Sequence, residues 1–255
     1  MARLTSTTAD SFRPLAIRRR LGRGLVVVAA LLLAGFGWAT LRQIRSVDGW
    51  VRTADRLRSG DQVVPPSDVA RGIAQLEAIP DPSADMLGAL TFLHYAAAED
   101  ALLRSDRTTW LLELANAAER ARQALALSPG RADVAVALAE VEFLLSGPSP
   151  GVFRALELSY HTAPRELWIA QRRIGLGLRL LAVAPPDIAD HVISDVRILG
   201  EPFRDTDRYR ILAQAAFAAG PAATAMVERE LGGGQPWPFM AFEKYLAQYR
   251  RAAGD

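Results

Sequence analysis

Asp205-Thr206-Asp207 is the nearest approach in this chain to a reactive arrangement. Two carboxylates flanking one residue can hold a divalent cation against a diphosphate, provided an α/β nucleotide-binding framework carries them. Here Arg204 and Arg208 bracket the pair and helical sequence follows, so the expectation is a helix start whose acids meet the positive end of the helix dipole. Gly175-Leu176-Gly177 has the glycine spacing of a phosphate loop, but no strand precedes it and helical sequence surrounds it; its glycines are expected to let two helices approach closely. His94, His161 and His191 are the only histidines, 67 and 30 residues apart, without the short spacing that sets two metal ligands on one helix face. Glu99-Asp100 and Glu140/Glu142 are paired acids. Successive positions on a helix diverge by about 100°, which predicts solvated faces. No nucleophile with a base beside it emerges, so no catalytic, cofactor-binding or metal-binding residue is expected. The residues singled out for partner contact are Trp168, Arg172 and Arg173 on one helix, and Trp237 and Phe239 at the start of another.

Charge and composition narrow the classes of partner. A sequence pI near 9.3 invites a nucleic-acid reading, but the basic excess is local. Residues 1–23 hold six Arg against one Asp, net +5, so a chain of net +2 carries −3 over the remainder. That remainder has no electrostatic reason to seek phosphate, and no nucleic-acid partner is expected. The absence of cysteine excludes disulfides and thiolate metal sites and is compatible with an oxidising periplasm.

The elements that position these residues begin with an apolar run. Gly24 to Leu41, GLVVVAALLLAGFGWATL, has no charge; its eighteen residues span about 27 Å as a helix, close to a hydrocarbon core of about 30 Å. Trp38 sits near one end, where an indole favours the membrane interface. The expected organisation is a basic cytoplasmic tail over 1–23, a transmembrane helix over 24–42, a juxtamembrane helix and Pro-containing linker over 43–66, and a helical domain over 67–255. A cleaved signal peptide, cut after Ala39, is the alternative. Arg13, Arg18, Arg19, Arg20 and Arg23 precede the span and Arg42, Arg45, Arg52, Arg56 and Arg58 follow it. The first group is the more crowded against the span, which favours a cytoplasmic N-terminus, an inner-membrane location and a periplasmic domain.

Beyond the linker the apolar spacing is helical throughout. Helices are predicted near 68–79, 84–104, 108–128, 132–146, 151–162, 166–183, 187–199, 206–219, 221–231 and 238–252, separated by prolines and by Gly232 to Gly234. The stretch Ala117-Ala118-Glu119-Arg120-Ala121-Arg122-Gln123-Ala124-Leu125-Ala126-Leu127-Ser128-Pro129 resembles helix B of a tetratricopeptide repeat. Ala117, Ala121 and Ala124 fall at its small packing positions and Pro129 at its closing proline. Pro164 follows 35 residues later, near the 34-residue period, with Ala135, Leu138 and Ala139 as a helix A and Val152, Leu156 and Ser159 as a helix B. The register is not followed beyond Pro164. Over 238–252, Phe239, Phe242, Leu246 and Tyr249 form one stripe backed by Glu243, Lys244, Gln248 and Arg250, the pattern of a helix that caps a repeat array. Residues 165–199 resemble the distal part of single-span repeat proteins of alphaproteobacterial envelope-polysaccharide loci.

The fold class expected is therefore all-α, with one N-terminal transmembrane helix followed by an α-hairpin, tetratricopeptide-like repeat array. The function expected is that of a non-enzymatic scaffold. It would be held in the lipid bilayer through residues 24–42, bind an envelope membrane-protein complex, serve polysaccharide synthesis or export, and need no cofactor. The alternative is a carbohydrate-binding or carbohydrate-processing envelope protein that uses Trp168, Arg172, Arg173 or the Asp-Thr-Asp motif on a helical scaffold.

Overall fold

The computed structural model describes Trp38 and residues 48–57, 64–202 and 206–254. The basic tail and the apolar run over 24–42, Trp38 apart, lie outside the described residues. Among those described, no helix is long and apolar enough to cross a membrane. Val51–Asp255 form one compact unit, and its described residues are all-helical, with no strand.

Each helix is bounded by signals in its own sequence. After a helical segment over 48–57 (α1), the chain continues through α2 (Pro66–Glu77), α3 (Ala84–Leu103), α4 (Arg107–Leu127), α5 (Ala132–Ser146) and α6 (Pro150–Thr162). There follow α7 (Leu167–Leu180), α8 (Pro186–Gly200), α9 (Asp207–Ala219), α10 (Pro221–Gly232) and α11 (Pro236–Ala253). The side chains of Ser83, Asp106 and Ser149 accept from the backbone N–H of Met86, Thr109 and Val152 and so cap α3, α4 and α6. Proline occupies the first position of α2, α6, α8, α10 and α11, where its missing N–H costs no intrahelical bond. At the other end, Pro129, Pro164 and Pro202 each stand two residues past a helix. A proline disfavours the helical conformation in the residue before it; Ser128 and Ala163 accordingly leave the helix at φ −143° and −144°.

Two of these starts correct the expected boundaries. The paired prolines of the linker do not merely extend it: Pro65 is the N-cap and Pro66 the first residue of α2, which therefore opens two residues before the expected 68. The last helix opens at Pro236 rather than at 238. Pro238 sits in its first turn, where an absent N–H is equally tolerated.

The helices pair as successive hairpins, α3/α4, α5/α6, α7/α8 and α9/α10. The first helix of each hairpin also lies against the first helix of the next, giving a row of α3, α5, α7, α9 and α11; α4, α6, α8 and α10 occupy the other layer, where α6 meets α8 and α8 meets α10. The hairpin order thus continues past Pro164. Ala117, Ala121 and Ala124 have no exposed surface, which lets α4 approach both α3 and α5. Ala135, Leu138, Ala139, Val152, Leu156 and Ser159 are all buried. Gly220 makes the tight reversal between α9 and α10 at φ 98°, donating to the Ala216 carbonyl and accepting from the Thr224 N–H, a conformation that L side chains resist. Phe242 and Leu246 of α11 are fully buried against α9 and α10, and each stabilises this closure by about 1.5–3 kcal/mol. Tyr249 stacks on Phe217 at 6.1 Å.

Candidate functional site: a charged cleft across the first-helix row

The row of α3, α5, α7 and α9 carries a cleft of about 260 Å³. Its polar lining comes from Tyr95 on α3, Glu140 on α5, Gln171, Arg172 and Arg179 on α7, and Gln214 on α9; Phe143, Leu144, Ile211, Ala215 and Ala218 supply an apolar wall. Helical periodicity accounts for the contribution of α7. Trp168, Arg172, Gly175 and Arg179 recur at four, three and four residues and so share one stripe. Gly175 has nothing within 4 Å of where a Cβ would stand, and its lack of a side chain keeps the floor of the cleft open.

Charge divides across the cleft. Arg172 Nη2 lies 3.7 Å from Glu140 Oε2, and its guanidinium rests over the Phe92 ring, 5.0 Å from the centroid, a cation–π contact. Burial pushes the Glu140 carboxyl above its ordinary value, with Glu99 adding to the rise; Arg172 and Arg179 pull against it. Glu99 is raised by burial as well. Burial, then Glu140 and Glu99, raise Tyr95, so its hydroxyl is held as a neutral donor. The α3–α5 wall is thus acidic and the α7 wall basic. Guanidinium, amide, phenol and carboxyl groups face an apolar surface, an arrangement suited to holding a polar or charged chain by several hydrogen bonds.

The acids that cooperate here are not the sequence neighbours. Asp100 pairs with Arg104 and Glu142 with Arg122 at 2.9 Å, while Glu99, 41 residues from Glu140 in the sequence, acts on Glu140. Tyr95, Gln171, Arg179 and Gln214 were not singled out by sequence reasoning. The four- and three-residue stripe through Trp168 was the available signal for Arg179, and none existed for the others.

The residues expected to meet a partner separate. Arg172 lines the cleft, and Trp168, 44 % exposed, lies one turn earlier on the same stripe. Trp237, 50 % exposed, and half-buried Phe239 are in the first turn of α11 and do not line the cleft. Arg173 corrects the expectation, because it has no exposed surface. One helical position turns it from the cleft into the core, where Nε and Nη2 bind Asp195 at 2.5 and 2.6 Å. Nη1 donates to the carbonyls of Ala163 at 3.0 Å and Ser159 at 3.4 Å, and Nη2 to that of Pro164 at 3.4 Å. The guanidinium also lies 4.0 Å from the centroid of Tyr160, whose ring stacks on His191. Arg173 therefore closes the open end of α6 and ties it to α7 and α8.

The remaining candidates have structural partners. Asp205 lies outside the described residues; Asp207 opens α9 and contacts Arg210 at 3.4 Å, in the first turn where an acid meets the dipole. Gly177 permits a close approach, since a Cβ there would stand 2.9 Å from Val192 Cγ2. Exposed His161 lies 3.7 Å from Glu157, and buried His94 binds Glu113. Among the described residues no group of three His, Asp or Glu is arranged to hold a metal ion. No protein-family model, no curated protein and no solved structure matches this chain.

Proposed function

We propose that this protein is a membrane-anchored, non-enzymatic scaffold of the bacterial cell envelope, whose hairpin array is of the tetratricopeptide type and receives an extended segment of a partner protein in its cleft. The observation that carries the reading is the continuous row of α3, α5, α7 and α9 with polar groups of both signs gathered over an apolar wall. Repeat arrays bind along such a face by complementarity and need no reacting residues. The apolar run over 24–42 is the anchor, inserted with the N-terminus in the cytoplasm, and the array projects into the periplasm to serve an assembly for polysaccharide synthesis or export. A photo-crosslinking amino acid in place of Trp168 or Gln214 should capture one envelope protein in cells, and the same probe at exposed Asp81, away from the cleft, should not. Equal or absent capture at both places rejects the reading. Protease added to spheroplasts should remove the array; protection would place it in the cytoplasm.

A second reading draws on the same cleft. Planar guanidinium, amide and carboxyl groups beside Phe143 also suit sugar hydroxyls and a sugar's apolar face. In that case a glycan binds purified protein and Arg179→Ala abolishes the binding, while no protein is captured.

A further inference from the structure

His94 joins the first three helices of the array in a way its burial alone does not require. The ring is 3 % exposed. Nδ1 lies 2.6 Å from Oε2 of Glu113 on α4. Nε2 lies 3.4 Å from Oε1 of Glu77 at the end of α2 yet makes no hydrogen bond. The same Glu77 oxygen accepts from Arg120 of α4 at 3.0 Å. Among the described residues, the charged groups that face the ring are Glu77 from α2, and Glu113 and Arg120 from α4. The acids of α5, the other helix against α3, are engaged elsewhere: Asp133 with Arg131, Glu140 with Arg172 and Glu142 with Arg122.

A neutral imidazole has one N–H. The short Nδ1 contact takes it for Glu113, leaving the Nε2 lone pair turned toward a carboxylate oxygen. A second proton reverses that contact, because the cation donates to Glu113 and Glu77 together, across three helices. We propose that His94 is a proton-operated clasp, which tightens the hold of α2 on the α3/α4 hairpin on acidification and loosens it as the medium becomes alkaline. The inference is independent of what the cleft binds.

The test is amide hydrogen exchange of the full chain in detergent micelles, corrected for the intrinsic pH dependence of exchange and referred to α5. Protection of α2 should fall about tenfold between pH 5.5 and pH 8, the lower end of what a hydrogen bond to a charged group supplies. Glu77→Gln keeps the oxygen that Arg120 and Nε2 share but removes its charge, and should flatten the profile. His94→Gln should flatten it at the low level. Unchanged α2 protection across this range in the parent chain, or a parental profile retained by either variant, overturns the proposal.

Discussion

Replacing Arg173 with methionine should cost more than any other single change on the α7 helix, and its magnitude follows from what the guanidinium binds. The side chain has no exposed surface, and neither does Asp195. Removing the guanidinium strands a carboxylate where water does not reach, at a cost of about 3–5 kcal/mol. The Ala163 carbonyl, bonded at 3.0 Å, loses its donor and adds about 1 kcal/mol; the 3.4 Å bonds to Ser159 and Pro164 are long and add little. Burial already pushes the Asp195 carboxyl above its ordinary value while Arg173 pulls against it, so the variant should answer the loss by taking up a proton. The double variant Arg173→Met with Asp195→Leu removes both charges and should recover most of the electrostatic loss, leaving only the α6 carbonyls uncapped. Urea unfolding followed by circular dichroism measures the global change, and hydrogen exchange shows whether α6, α7 and α8 loosen together. If Arg173→Met loses less than about 1 kcal/mol, or the two substitutions simply add, the guanidinium does not tie these helices as described.

Three further outcomes are expected. Glu140 has a folded value raised above its unfolded one, so the native state holds its proton more tightly; the stability this group contributes is present below the ordinary carboxylate range and is lost as pH rises through the folded value. Glu140→Gln should flatten that part of the stability profile measured by thermal melting from pH 4 upward, and a profile identical to the parent refutes the assignment. Gly177→Ala should destabilise by about 1–3 kcal/mol because its Cβ would overlap stiff Val192. Gly175→Ala, with open space around it, should stabilise by about 0.5–1 kcal/mol, and chemical denaturation of the two variants should show opposite signs. Phe242→Ala, which hollows the packing of α11 on the array, should cost about 3–5 kcal/mol, and native-state proteolysis should cut ahead of α11 first.

Helix bounds were largely legible because prolines and capping side chains mark them locally; α5, expected over 132–146, is Ala132–Ser146. The hairpin order beyond Pro164 was hidden for a physical reason. Small packing residues keep register only where two helices meet closely, and the later hairpins use larger side chains such as Ile169, Ile174, Val192 and Leu212. Their period survives instead in the prolines that start the second helices, Pro150, Pro186 and Pro221, spaced 36 and 35 residues. The site was less legible. Arg172 and Arg173 look alike in sequence, and what separates them is a rotation of about 100° and an aspartate 22 residues away. The acidic wall joins α3 to α5, a neighbourhood that no local spacing announces.

The hairpin order has a consequence for how the protein is made. Helices that pack substantially on one another are never separated by more than one intervening helix, so every hairpin can close while the following one is still inside the ribosome. Such a chain has no need to keep an early apolar surface waiting for a distant partner, which limits the time available for aggregation. The last helix to wait in this way is α9, whose partners include both α10 and α11. Its side facing Phe242 and Leu246 stays uncovered until α11 emerges, and a nascent chain halted between Gly220 and Gln235 should be the form most in need of a chaperone.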